Sequence, residues 1–422
     1  MGAVETALDE KEVERIRKQL FGDVVQGLEI TGSEEPWTVL EKGHPAFGGK
    51  LFRRAYQLIR KAIGDNYSMF LAVAGPVTVS DYARVWMIPF MKAGYVSAIT
   101  ASDAISYHDA HDAVEGKREV YDVDLYGDDG LYRDARIIRV TDTGFPEEVL
   151  FDTDKFFSHA LSQPEFQKKL TTTEYRWLLG KQLNALEQRK KIRPGLLSTA
   201  YALDVPMFCA SPADGSSFLN AIKLWAMKHR VGLLKENHAL EIDLQKDVYE
   251  FCAYHYYCQH HEGNKELSYI VCGGGAAKNY LLQPEPMLEQ ILFVPTKKYQ
   301  IGVQFTTAPV TDGSLSSCWP SEAISWGKLQ KDALTVSVPV DYTMCMSVIS
   351  YAILKERLHY QQMLKEEFHG EKEKLFSKMP QARGFLREPQ RLYGKREKAM
   401  QFLDQALAEQ KGELLNSTNF EK

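Results

Sequence analysis

The run Ser321-Glu322-Ala323-Ile324-Ser325-Trp326-Gly327-Lys328 puts a carboxylate, an indole and an amine within eight positions. A lysine held against an indole and partly dehydrated loses some of its preference for the ammonium form. The neutral amine can then attack an imine or carbonyl carbon. Glu322 and Trp326 are four apart, so on the helix expected over 320–329 they share a face, with Lys328 within a turn beyond. The same residues also fit a surface lysine at a helix end. The segment leading to them, 306–328, is dense in Gly, Ser, Thr and Asp, as a loop after a strand would be.

Other positions offer different chemistry. Gly273-Gly274-Gly275 closes an apolar run and precedes helical sequence. Glycines there let the backbone approach a phosphate while the helix start supplies unpaired N–H groups, although a plain tight turn has the same composition. Asp214, in Ala213-Asp214-Gly215-Ser216, and Asp341 fall at or near strand ends. A carboxylate there can hold ribose hydroxyls or cap a helix. Ser102-Asp103-Ala104 also follows a strand and leads to Tyr107, His108 and His111. The two histidines are i,i+3, but no third ligand has matching spacing, so no metal site is expected. The cluster Tyr254–His261 lies on a long amphipathic pattern and reads as a packed interface with exposed histidines.

The elements that must position these groups read as an α/β sheet. Apolar, β-branched runs at 67–75, 96–102, 205–211, 267–275, 299–308 and 334–342 do not alternate cleanly, as expected of strands buried on both faces. Helical patterns at 47–63, 81–94, 217–229, 242–259 and 320–329 lie between them. This alternation predicts a Rossmann-like, doubly wound, mostly parallel sheet with helices on both faces. Residues 45–351 form the α/β unit, with 113–190 as a charged insertion or cover. Residues 1–44 and 352–422 are helical extensions, the latter strongly charged.

Composition bounds the function. The 422 residues carry 51 Lys plus Arg against 56 Asp plus Glu, a formal charge of −5, which gives no footprint for nucleic acid. There is no apolar run long enough to span a membrane and no apolar leader core near the N-terminus. Six cysteines without a C-x-x-C pair read as reduced thiols, and a cytoplasmic location is expected.

Taken in order, ADGS, GGGAAKN, TDGS and SEAISWGK resemble deoxyhypusine synthase and its bacterial deoxyhypusine-synthase-like relatives over roughly residues 45–355. The resemblance implies an NAD-dependent homotetramer with active sites at subunit interfaces. Such enzymes move an aminobutyl group from a donor amine to an acceptor amine through a lysine imine, with no net redox change. It implies Lys328 as the nucleophile, Trp326 along the substrate chain, and Glu322, Gly313 and Ser314 at an amine end. It implies NAD contacts at Ser102, Asp103, Ala104, Asp214, Gly274, Thr307, Ala308, Asp312 and Asp341.

The departures are specific. Asn279 stands where the family has a histidine, and His108, Leu219 and Leu315 stand where it has acids. An ammonium buried without its partner costs several kcal/mol, so a tricationic polyamine in the family's usual pose is disfavoured. A less cationic, more apolar substrate, or one bound differently, is expected, with a small-molecule amine donor and acceptor and with His108, Tyr107 or a water on Asn279 as proton shuttle. A homospermidine or agmatine-modifying synthase is a related alternative. An amine or imine oxidoreductase would differ by net NADH production, and a non-catalytic scaffold by binding no NAD.

Overall fold

The computed structural model describes residues 9–234, 238–261 and 265–418. Six strands form its central sheet: β1 (Ser68–Val73), β2 (Ala98–Ala101), β3 (Met207–Cys209), β4 (Leu267–Cys272), β5 (Tyr299–Phe305) and β6 (Leu329–Val338). Their order is β3-β2-β1-β4-β5-β6, and every neighbouring pair is parallel. The expected doubly wound α/β sheet is therefore what the chain forms. The order reverses between β1 and β4, and at such a switch point the strand ends part to leave a crevice.

The unbroken apolar runs follow from burial on both faces. All six residues of β1 and all six of β4 are buried. Alternate side chains go to opposite cores. Met69, Leu71, Val73, Ile270 and Cys272 pack into one, and Phe70, Ala72, Tyr269 and Val271 into the other. Helix Leu244–His260 covers the second core, where His255 is fully buried, its Nε2 2.6 Å from Tyr299 Oη. That departs from the exposed histidine expected there. Burial lowers its pKa to about 3, so the ring is neutral and acts as an aromatic filler stacked on Phe70.

Two expected elements shift, and both changes move Lys328. The helix expected over 320–329 is only a 3₁₀ turn, Pro320–Ile324. Gly327 then takes φ +68°, a left-handed backbone that ends the turn, and β6 begins at Leu329. Glu322 and Trp326 therefore do not share an α-helical face. β6 ends at Val338, before Pro339, because proline has no N–H for the ladder. Lys328 thus stands at the amino end of an edge strand.

Within 113–190, a small antiparallel sheet (Tyr121–Asp122, Thr143–Pro146, Ile137–Val140) precedes helices Glu147–Leu161 and Thr172–Lys190. The second helix belongs to the sheet's own flanking layer. Its Arg176, only 1% exposed, donates to Phe208 O at 2.6 Å and Ser102 O at 2.7 Å. In the N-terminal stretch Glu10–Leu20 and Pro36–Lys42 are helices; residues 1–8 of the expected extension lie outside the described residues.

The charged C-terminal region folds back on its own chain. Gln390 reaches Ser97 and Ser68 beneath β1 and β2. Arg396 pairs with Glu250 at 2.9 Å and Glu174 at 3.2 Å, and helix Arg396–Ala408 lies on helix Leu244–His260. Arg396→Ala would leave the fully buried Glu250 carboxylate without this cation, though still accepting from the Thr171 and Thr173 hydroxyls. The expected loss in urea-unfolding free energy is about 3–5 kcal/mol.

Candidate active site

The structure distributes the sequence-derived candidates over three places. Lys328, Trp326, Glu322, Leu315 and Asn279 line one cleft of about 810 Å³. Ser102, Asp103, Asp214, Gly274, Thr307, Ala308, Asp312, Gly313, Ser314 and Asp341 lie on loops or turns that follow the carboxyl ends of strands, and Ala104 opens the helix after one of them. Tyr107, His108 and Leu219 sit on helices Ala104–Glu115 and Ser216–His229.

The lysine cleft is built along helix Gly275–Leu282. Lys328 Nζ lies 3.4 Å from Asn279 Oδ1 and 5.8 Å from the centre of the Trp326 indole. Partial burial holds the Lys328 amine below the ordinary lysine pKa, with the Cys318 sulfur opposing that shift. Trp326 is 63% exposed, so it shields the amine from one side only. The walls are largely apolar: Phe251, Leu282, Met287, Ile291 and Ala323 contribute.

A second amine, for which the sequence offers little signal, shapes this cleft. Lys278, 3% exposed, donates from Nζ to Leu315 O at 2.9 Å and to Cys318 O. These bonds clamp the 306–318 loop onto helix Gly275–Leu282. Burial lowers the Lys278 pKa and the Lys328 charge lowers it further, while Cys318 and Glu322 oppose both. The only sequence hint was a lysine directly after the apolar GGGAA on a helix that had to pack on the sheet.

The carboxyl edge has the features of a phosphate-binding turn. Gly273 and Gly274 take φ +68° and +78°, and side chains there would enter the space beside Ala74 at the end of β1. A Cβ on Gly75 would stand 2.9 Å from Ala104 Cβ and Ser102 Oγ. Helix Gly275–Leu282 starts at this turn with no side-chain cap, leaving its first N–H groups directed at the switch point. Asp214, Asp312 and Asp341 are exposed around it. Asp103 is engaged differently: its carboxylate accepts from Ser217 N at 3.0 Å, Ser217 Oγ at 2.6 Å and Phe218 N at 3.2 Å. It caps helix Ser216–His229 and ties the Asp214 turn to the end of β2.

Tyr107 and His108 form a third cluster. Tyr107 Oη donates to Asp154 Oδ1 at 2.8 Å, which also accepts from Asn220 Nδ2 at 2.8 Å. Asp154 comes from helix Glu147–Leu161, too distant in sequence for any spacing rule to associate it. His108 Nδ1 is buried with no partner among the described residues. Desolvation lowers the His108 pKa to about 4, which keeps the ring neutral near pH 7. Leu219, on helix Ser216–His229 beside Asn220, is half exposed. A smaller cleft of about 390 Å³ between Phe218, Trp225 and Ile242 is apolar and holds no nucleophile.

Lys328 backbone pairs at the start of β5, where Tyr299 N meets Lys328 O at 3.4 Å. Seven residues of β5 then run to the carboxyl edge, about 20 Å at 3.3 Å per residue. The amine rises along helix Gly275–Leu282 as far as Asn279, while the cleft extends to Ala276 and Leu315 beside the glycine turn. The lysine cleft and the glycine crevice thus occupy opposite reaches of one helix.

A parallel sheet in this order, with a glycine turn at its switch point, defines an α/β fold of the Rossmann type. The deoxyhypusine synthase family model matches residues 39–353. A deoxyhypusine synthase-like protein of Nostoc sp. is 30% identical over 315 residues, covering 74% of this chain and 79% of that protein. One from Thermosynechococcus vestitus is 30% identical over 74% of this chain and 76% of its own length. One from Caulobacter vibrioides is 28% identical over 74% and 81%. The chain belongs to the deoxyhypusine synthase family, a family of transferases.

The depressed Lys328 pKa has a direct consequence. Its neutral fraction grows at lower pH than that of an ordinary lysine. In trace acetylation with acetic anhydride, read by peptide mass spectrometry, Lys328 is expected to reach half-maximal reactivity below the ordinary lysine value of about 10.4.

Proposed function

We propose that the protein is an NAD-dependent transferase that moves a carbon chain from one amine to another through an imine on Lys328. The reading rests on one observation above all. The Lys328 amine is half buried in a cleft, set against Asn279 and Trp326, with its ammonium form disfavoured. The family's aminobutyl transfer is the type of reaction this arrangement serves.

The residues divide the work. Gly273, Gly274 and the start of helix Gly275–Leu282 would hold the diphosphate of NAD, with Ser102, Ala104, Asp214, Thr307, Ala308, Asp312 and Asp341 around it. Bound NAD supplies reversible hydride acceptance at the carbon next to nitrogen. Lys328, as the free amine, adds to the electrophilic carbon and expels the donor's leaving amine. The acceptor amine later displaces Lys328 in the same way. Asn279 Oδ1 accepts from Lys328 Nζ and orients it. Because Asn279 has no titratable proton, proton transfer falls to a water beside it, or to Tyr107 and His108 of another copy. The exposed cleft lips, Leu315 and Trp326, support a site completed between copies, in which one chain's glycine edge faces another's lysine.

Lys328→Ala should lower turnover by at least about 10³-fold, roughly 4 kcal/mol of barrier, with NAD affinity retained. Wild-type turnover, followed by product mass spectrometry and by absorbance of the reduced cofactor, should yield a transferred product without net NADH. Stoichiometric NADH accumulation would replace transfer with simple amine oxidation.

A further inference from the structure

One carboxylate near the carboxyl edge of the sheet has no cation. Asp154 is half-buried on helix Glu147–Leu161, and its Oδ1 accepts from Tyr107 Oη and from Asn220 Nδ2, each at 2.8 Å. Among the described residues nothing donates to Oδ2, and no lysine or arginine pairs with Asp154. Its neighbour Lys155 pairs instead with Asp152 at 2.7 Å. Lys223 joins the network only at its far end: it donates to Ser158 Oγ at 2.9 Å, and Ser158 Oγ donates to Asn220 Oδ1 at 3.2 Å. A carboxylate offers about four acceptor sites, so roughly half of this one is unused.

The carboxylate stands level with the crevice. Tyr107 lies one turn into helix Ala104–Glu115, and Asn220 one turn into helix Ser216–His229. Helical side chains lean back toward the amino end of their helix. Asn220 Nδ2 shows this by donating also to Ser216 O at 3.0 Å. Both donors to Asp154 therefore point at the first turns of two helices that Asp103 ties together through Ser217. Those turns carry Ser102, Ala104 and Asp214.

The other acids of this edge are less suited to hold a cation. Asp214, Asp312 and Asp341 are exposed, where an ion pair gains little. Asp103 is spent on capping. Asp154 is partly out of water and fixed by two side chains that are themselves 4% and 5% exposed. An ammonium meeting its free oxygen gains a charge-assisted bond with the acceptor already oriented.

We propose that Asp154 is a substrate-binding residue that holds an ammonium of the transferred amine, at the end remote from the reacting carbon. The proposal rests on the amine transfer proposed above and adds a residue to it. In a site completed between copies, Asp154 of one chain serves Lys328 of another.

Asp154→Asn tests the charge, because its amide oxygen can still accept from Tyr107 and Asn220. The full-length protein, saturated with NAD, is titrated calorimetrically with 1,4-diaminobutane and with spermidine. The variant should bind both at least about tenfold more weakly than wild type, with a flatter dependence on NaCl, while its NAD affinity and urea midpoint stay at wild-type values. A purely structural Asp154 would move the urea midpoint and leave the salt slope alone. Unchanged amine affinity in the variant, or no amine binding by the wild type, overturns the proposal. The lysine reading is checked apart from it, on wild type, with n-hexanal and cyanoborohydride. The Lys328 amine adds to the aldehyde carbon, water leaves, and the hydride reduces the C=N bond to a secondary amine that peptide mass spectrometry detects. Absence of that adduct, with other lysines labelled, removes the nucleophile and the proposal with it.

Discussion

A buried ammonium with both visible partners supplied by backbone holds this site together. Lys278 is almost fully out of water and spends its donors on the carbonyls of Leu315 and Cys318. Without those acceptors its burial would be prohibitive. With them it closes the 306–318 loop over helix Gly275–Leu282, and that loop carries the chain into Glu322, Trp326 and Lys328. The position of Lys328 therefore depends on a second, buried lysine. The two amines share one cleft, and the Lys328 ammonium makes the Lys278 proton easier to lose.

The rest of the fold serves two ends of one short helix. Its start, at the switch point between β1 and β4, is stripped of side chains by glycines and left uncapped. Its middle presents Asn279 to Lys328 on one side and sends Lys278 under the loop on the other. Behind it, Tyr280 is fixed by Asp247 and stacked on Phe251, so the cleft floor is rigid. Helix Arg396–Ala408 locks helix Leu244–His260 in turn through the Arg396–Glu250 pair.

Much of this was legible in the sequence. The strands were readable because doubly buried strands leave unbroken apolar runs, and GGG marked the switch-point turn for the same backbone reason the structure shows. The cleft group of Asn279, Leu315, Glu322, Trp326 and Lys328 was readable through SEAISWGK and GGGAAKN, short segments whose chemistry is local. The helix expected at 320–329 was not formed, because Gly327 turns the chain and β6 starts early. For Asp103 the resemblance implied an NAD contact, and its bond with Ser217, 114 residues away, is one that no local pattern encodes. Asp154 and the Lys278 clamp depend on contacts between distant segments, which no spacing pattern encodes. The fold-back of residues 380–408 was equally silent, since its charges pair with Glu174 and Glu250 far upstream.

The most direct test is whether a carbon chain becomes attached to Lys328 only when hydride chemistry is available. The protein is incubated with a ¹³C-labelled primary alkylamine, with and without NAD, quenched with borohydride and digested. The account predicts a mass increment on the Lys328 peptide that requires NAD and carries the label. A labelled amine consumed to product with the Lys328 peptide left unmodified would contradict it.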